Sequence, residues 1–408
     1  RGVAEADAEV FKRYIYQQSY GVESWVYDLK EHTFETDTLV LSRAEVEALH
    51  AINVKRRSLR EGDERADRLA EHARVVGKLA ERLAPLVGNP EDGGVFTKLN
   101  TRSAKDVAIE KVNIRESVEH VFALTEEELR GSARIVRDGT GSVLRTPLWD
   151  NLDVTPWTEI ESSRKYEFPA AADLRGRFSQ NEVLQAFVAA NTRYMRVYRA
   201  ADAINLILLS SRCYQDLSRV LSFGATADVT VSIIVRKWKA DVSGRSGFEF
   251  RGFVYANELN ALSQYDDVTH YPEIARDGPQ TGDRIRQFFY AQVRDKLAHM
   301  ENYVIDFFIA ADDQIFVIEL NPFHKGAGPC LFSWTKDRER FMKGPFEYRY
   351  VKEDKGHQLA VLSRFWERNL MQYVRPPPAD DDYSPVAIGV VVTVAATVLT
   401  VALAFYYR

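Results

Sequence analysis

Cysteine is almost missing from this 408-residue sequence, which has only Cys213 and Cys330. Two thiols so far apart build neither a disulfide framework nor a thiolate zinc site, and a reducing compartment is the default expectation. The eight histidines show no HExxH or paired metal-ligand spacing. Strong charge of one sign is also missing. With 54 Lys and Arg against 59 Asp and Glu, the net charge is −5. No general electrostatic footprint for nucleic acid exists, and no direct nucleic-acid partner is expected. The N-terminal stretch has no apolar h-region, so no secretory signal is expected. What remains is ordinary for a globular protein, with 45% hydrophobic and 28% charged residues. The length allows two or three domains' worth of core.

The most informative stretch is Glu301 to Phe323, ENYVIDFFIAADDQIFVIELNPF. Tyr303, Ile305, Phe307 and Ile309 alternate with Val304, Asp306 and Phe308, and Ile315, Val317, Glu319 and Asn321 share one face. Period-two alternation around a polar turn predicts a β-hairpin. With Asp312-Asp313 as a two-residue loop, Asp306 falls opposite Glu319, and Asn321 lies two residues on along the same face. Opposed side chains have Cβ atoms about 4.5–5.5 Å apart. Two carboxylates at that spacing repel unless a positive group lies between them. Asp, Glu and Asn oxygens with no His or Cys suit Mg²⁺ carried on a nucleotide. On these residues alone, solvated acids on a half-exposed hairpin explain the pattern equally well.

Upstream, Ser42-Arg43-Ala44-Glu45 has the form of a capping box and predicts a helix start. Leu69, Ala73, Val76, Ala80 and Leu83 recur at helical spacing until Pro85, Gly88 and Pro90. Gly93-Gly94 precede a short apolar strand that carries Lys98. Glycine lets backbone approach an anion, and Lys supplies a compact charge for phosphate. Val231 to Trp238 reads as a strand ending in Arg236, Lys237 and Trp238, whose plain reading is a basic surface end. Phe248–Tyr255 and Leu259–Tyr265 read as a hairpin on which Arg251 points with Glu249. Its plain reading is a pair with an acid across the sheet. Further helices are expected over 178–199, 202–220 and 281–300.

At the C-terminal end, residues 386–407 carry no charge. They would span about 33 Å as a helix, which matches a bilayer core. The expectation is a transmembrane tail anchor with the preceding chain on the cytoplasmic side. The Pro- and Asp-rich residues 376–385 serve as its spacer.

Four features in fixed order, GGVFTKLN, VRKW, FEFRGFV with LSQY, and YVIDF with VIELNPF and LFSW, resemble the cell division cycle protein 123 family. The resemblance covers roughly residues 75–108 and 201–334, and more loosely 10–50. It implies an α+β, ATP-grasp-like, two-lobed fold with antiparallel sheets. On that reading residues 1–109 form an N-terminal lobe with the Lys98 strand, 110–200 an insertion, and 201–375 a C-terminal lobe. It further implies an ATP-binding assembly factor, a chaperone for translation initiation factor 2 that acts through the gamma subunit, with no chemical product attributed to it. By resemblance, Lys98, Arg236, Lys237, Trp238 and Arg251 would bind the nucleotide, and Asp306, Glu319 and Asn321 would hold Mg²⁺. Where the family places an aromatic after KLN, this chain has Thr101. An ATP-grasp ligase or kinase acting on another substrate would use the same cleft, and a membrane scaffold without nucleotide would need none of it.

Overall fold

Two β-sheets meet in the computed structural model, and the site lies where they touch. The structure describes residues 2–58, 66–89, 92–107, 176, 178–224, 229–242, 245–356, 358–361 and 370–376. Most of the 110–200 segment and all of 386–407 therefore lie outside the described residues.

The first sheet has four antiparallel strands in the order β1 (Thr36–Val40), β4 (Ser232–Lys237), β2 (Val95–Leu99) and β3 (Arg196–Val197). It draws β1 and β2 from before the 110–200 segment, β3 from the end of that segment and β4 from after it. Helices α1 (Gly2–Gln18), α2 (Arg43–Ser58), α3 (Ala66–Val87), α5 (Ala200–Leu209) and α6 (Ser211–Ser222) supply apolar residues to one core with it, while α4 (Gln180–Tyr194) packs in a smaller cluster with Leu359, Leu370 and Tyr373. The expected capping box opens α2: Ser42 N–H donates to Glu45 Oε2 at 2.7 Å, and Glu45 N–H donates to Ser42 Oγ at 3.3 Å.

The second sheet has five strands in the order β8 (Ile315–Pro322), β7 (Tyr303–Ile309), β5 (Glu249–Tyr255), β6 (Glu258–Gln264) and β9 (Glu347–Arg349). All its pairings are antiparallel except β6 with β9. One face packs on Trp25, Leu29 and helix α7 (Pro272–Phe288), which kinks at Gly278. The other face buries Phe253, Val304 and Phe332 with Phe341 from the short helix α8 (Arg338–Lys343).

Strand β4 belongs to both cores. Ile233 and Val235 point into the helical cluster, whereas Ile234 joins the cluster of the second sheet. Alternation then assigns the neighbours. Lys98 pairs with Ile234 and Phe96 with Arg236, so Lys98 and Arg236 share the face toward the second sheet. The segment before β1 ties the sheets along the backbone. His32 O accepts from Val317 N–H at 2.7 Å, and Glu35 O accepts from Lys237 N–H at 2.9 Å.

The hairpin differs from the expected one in its turn. Its strands close at Ile309 opposite Ile315, leaving a five-residue connection, 310–314, instead of two residues. A bulge between Asp306 and Phe307 then restores the expected pairing of Asp306 with Glu319, because Phe307 faces Val317 and Ile318 is the extra residue. The bulge also breaks the expected single face. Val317 turns into the core with Phe307, and Glu319 turns out with Asp306.

The expected transmembrane element is corrected. No helix among the described residues is long and apolar enough to cross a membrane. The longest described helix, α3 at 22 residues, carries Asp67, Arg68, Glu71, Arg74, Lys78, Glu81 and Arg82. The C-terminal transmembrane helix is thus no part of the observed fold. The membrane-anchored localisation drawn from it is withdrawn, along with the membrane as a partner.

Candidate functional site

One row of side chains crosses four strands of the second sheet. Ser263 on β6 pairs with Arg251 on β5, Arg251 with Asp306 on β7, and Asp306 with Glu319 on β8. Directly opposed residues point to one face, so the row is a consequence of register. Arg251 and Asp306 form a two-pronged pair, Nε to Oδ1 and Nη2 to Oδ2, both at 2.8 Å. Arg251 Nη1 also donates to the Gly328 carbonyl at 3.0 Å, and its guanidinium lies 4.7 Å from the centre of the Tyr265 ring. At the end of the row, Lys98 reaches across from the first sheet and donates to Glu319 Oε1.

Two cations thus face two acids. Burial raises the Glu319 carboxyl, but the charges of Lys98, Lys105 and Arg251 prevail and hold it down at about 2. Burial works against the Arg251 charge, yet Asp306 keeps that guanidinium firmly protonated. Asn321 lies beyond Glu319 on β8, and its buried Nδ2 finds no hydrogen-bond partner among the described residues.

The remaining expected residues lie apart from this row. Arg236 shares the Lys98 face, but it is engaged with the Ile318 carbonyl and two threonines. Lys237, the next residue along β4, must point to the opposite face, where its exposed side chain sits 3.3 Å from Glu35. Trp238 donates its backbone N–H to Gly94 O at 3.1 Å, and its ring lies 5.7 Å from the Arg196 guanidinium. The glycine pair has a local explanation. Gly93 and Gly94 have φ of 90° and 78°, and a Cβ on Gly94 would stand 2.8 Å from the Val197 carbonyl.

The structure adds residues that sequence reasoning did not select. Lys105 Nζ lies 3.5 Å from the Tyr265 hydroxyl and 5.4 Å from its ring centre. Glu249, two residues before Arg251, has its carboxyl pushed up to about 7, by burial first, against the pull of Lys105. The shared face of Glu249 and Arg251 was visible in the strand pattern. Nothing in the local sequence of Lys105 or Tyr265 announces their meeting, 160 residues apart.

The donor set can be tested against Mg²⁺ and a polyphosphate. Among the described residues no group of three or more His, Cys, Asp or Glu is placed to hold a metal ion. Protein oxygens from Asp306, Glu319 and Asn321 are the hard donors that Mg²⁺ prefers, and Mg²⁺ completes its shell with phosphate and water. A half-turn of the Asn321 amide brings Oδ1 to its unpartnered corner. Lys98 and Arg251 offer charge to phosphate oxygens, Arg251 in a planar fork. The residues fit that ligand class.

Comparisons with known proteins agree with the motif resemblance. The D123 family model matches residues 185–371. The translation initiation factor eIF2 assembly protein of Danio rerio is 30% identical over 111 residues, covering 26% of this chain and 30% of that protein. That of Xenopus laevis is 26% identical over 127 residues, covering 31% and 36%. The chain thus matches about a third of the length of these relatives. Cdc123 from Schizosaccharomyces pombe aligns over 82% of this chain and 96% of its own, with 16% identity and a TM-score of 0.46. Arg236, Arg251, Asp306, Glu319 and Asn321 lie inside the matched range, and Lys98 and Lys105 outside it. Over residues 185–371 the chain is similar to the D123 family.

Proposed function

We propose that this chain binds ATP with Mg²⁺ between its two sheets and serves as an assembly factor for translation initiation factor 2, engaging the gamma subunit. The observation that carries the reading is the D123 match over residues 185–371, a range that holds the Arg251–Asp306–Glu319 row. The relatives that share this region are named eIF2 assembly proteins.

The local chemistry supports the nucleotide half. Arg251 and Lys98 would meet phosphate oxygens, and Asp306, Glu319 and Asn321 would hold the metal ion. Bound ATP·Mg²⁺ supplies a dense anion with its own cation, which both halves of the row can match. The protein's part is to keep both signs in place beforehand. Asp306 orients the Arg251 fork, and Lys98 keeps Glu319 ionised.

Two measurements test the reading. ATP titration with and without Mg²⁺ is expected to show Mg²⁺-dependent affinity that Asp306→Asn and Asn321→Ala each reduce. Affinity unchanged in both variants would reject the site. Purified gamma subunit is expected to be retained by the immobilised chain; its absence from the bound fraction with and without ATP would reject the partner.

A further inference from the structure

Arg236 sits between the sheets among neutral partners. It is only 4% exposed. Each of its three guanidinium nitrogens donates: Nε to Thr36 Oγ1 at 3.1 Å, Nη1 to the Ile318 carbonyl, and Nη2 to Thr33 Oγ1. Thr33 relays the contact, since its hydroxyl donates to the Val317 carbonyl at 2.6 Å. The rings of Phe34 and Trp25 lie 4.9 and 5.9 Å from the guanidinium. Burial pushes its pKa down to about 10, with the Glu319 charge acting in the opposite direction.

The two carbonyls it holds flank the bulge. From the turn, the hairpin runs Ile309 to Ile315 and Phe307 to Val317. Continued without a bulge, that register would set Asp306 against Ile318 and Glu319 against Ile305, which lies in the core. A one-residue slip moves every following side chain to the other face. Glu319 would then carry its charge into apolar surroundings, away from Lys98 and Asp306. The bulge at Ile318 is what turns Glu319 outward, and bulges commonly re-aim side chains next to functional sites.

We infer that Arg236 is a positioning residue: held to the Ile318 carbonyl and, through Thr33, to Val317, it pins the bulge that sets Glu319 beside Asp306 and Lys98. All three of its guanidinium nitrogens are taken up by the bulge segment and the threonines beside it, so its part is to hold that backbone. The clamp itself stands on the hydrogen bonds alone; its consequence for ligand binding rests on the nucleotide reading above.

The test uses the full chain with Arg236→Gln, Thr33→Val and, as a control on the opposite face of β4, Lys237→Ala. Amide hydrogen exchange is followed over residues 315–322 without ligand. Arg236→Gln and Thr33→Val are expected to speed exchange there about tenfold, the scale of one lost buried hydrogen bond. Residues 249–264 are expected to keep their rates, and Lys237→Ala to leave both regions unchanged. Unchanged exchange over 315–322 in both clamp variants would overturn the clamp; if Arg236→Gln does not fold, Thr33→Val decides. ATP·Mg²⁺ affinity is then measured for Arg236→Gln in wild-type and Glu319→Gln backgrounds. A loss in the first that vanishes in the second is the signature of action through Glu319. The same loss in both backgrounds would make Arg236 a direct contact and overturn its positioning role. Failure of the unmutated chain to bind ATP would sink the nucleotide reading, while the exchange rates would still decide the clamp.

Discussion

Arg251–Asp306 and Lys98–Glu319 each join a cation to a carboxylate on the same row, yet they are built differently. The first is a cross-strand pair within one sheet, with both prongs of the fork filled and side chains only 8% and 2% exposed. The second bridges the two sheets through one contact, and its carboxylate is 28% exposed. Register alone forms the first pair once the sheet forms. The second also needs the first sheet to dock and the bulge to turn Glu319 outward. A ligand that competes for both meets a rigid fork on one side and an exchangeable contact on the other. The inner pair therefore reads as the frame of the site and the outer pair as the part that a ligand can open.

The largest expected effect breaks the inner pair. Asp306→Ala leaves the Arg251 guanidinium buried without its countercharge, and removing one partner of a buried pair costs about 3–5 kcal/mol. Urea unfolding of the variant measures it. Replacing both, Arg251→Met with Asp306→Leu, is expected to recover most of the loss, because no uncompensated charge remains. A single-variant loss under about 1 kcal/mol, the range of exposed pairs, would erase the distinction drawn here.

Glu319→Gln sharpens the comparison from the other side. The pair is partly open to solvent and monodentate, so the expected loss is about 1 kcal/mol, read from the same unfolding curves. A loss as large as that of Asp306→Ala would show that the inter-sheet contact is as much a part of the frame as the inner one.

How much of this was legible before the structure differs residue by residue. Alternation along 303–309 marked a strand, and the pairing of Asp306 with Glu319 holds. It holds for a different reason, since a longer turn and a bulge compensate each other. Bulges follow from the fit of a strand to its neighbours, here the Arg236 and Thr33 clamp, and no local pattern announces them. The capping box at Ser42 and Glu45 was readable because its two hydrogen bonds are three residues apart. A second capping box opens α4, where Ser179 N–H donates to Glu182 Oε2 at 2.7 Å and Glu182 N–H to Ser179 Oγ at 3.1 Å. The Arg236-Lys237 run looked like one basic end, although strand alternation already forbids two neighbours from facing one cleft. Lys105 and Tyr265 meet only through tertiary packing, as do Arg236 and the Ile318 carbonyl. The uncharged run at 386–407 lies outside the described residues, so its amino-acid pattern has no structural counterpart here.

The pH dependence offers a further test, because two acids of one cluster act with opposite sign. Glu319 is held down at about 2, so its ionised form is favoured by folding. Its contribution is present above the ordinary value of 4.5 and is lost as pH falls from there toward 2. Glu249 is pushed up to about 7, chiefly by burial, so the folded chain keeps its proton after the unfolded chain has released it. Between 4.5 and 7 the native state binds more protons, and stability declines as pH rises through that window. Unfolding midpoints followed across the two windows should therefore fall away on both sides of pH 4.5 on account of this pair. Glu249→Gln should flatten the upper limb and leave the acid limb in place, while Glu319→Gln should do the reverse. An upper limb that survives Glu249→Gln unchanged would place its origin in a group other than Glu249.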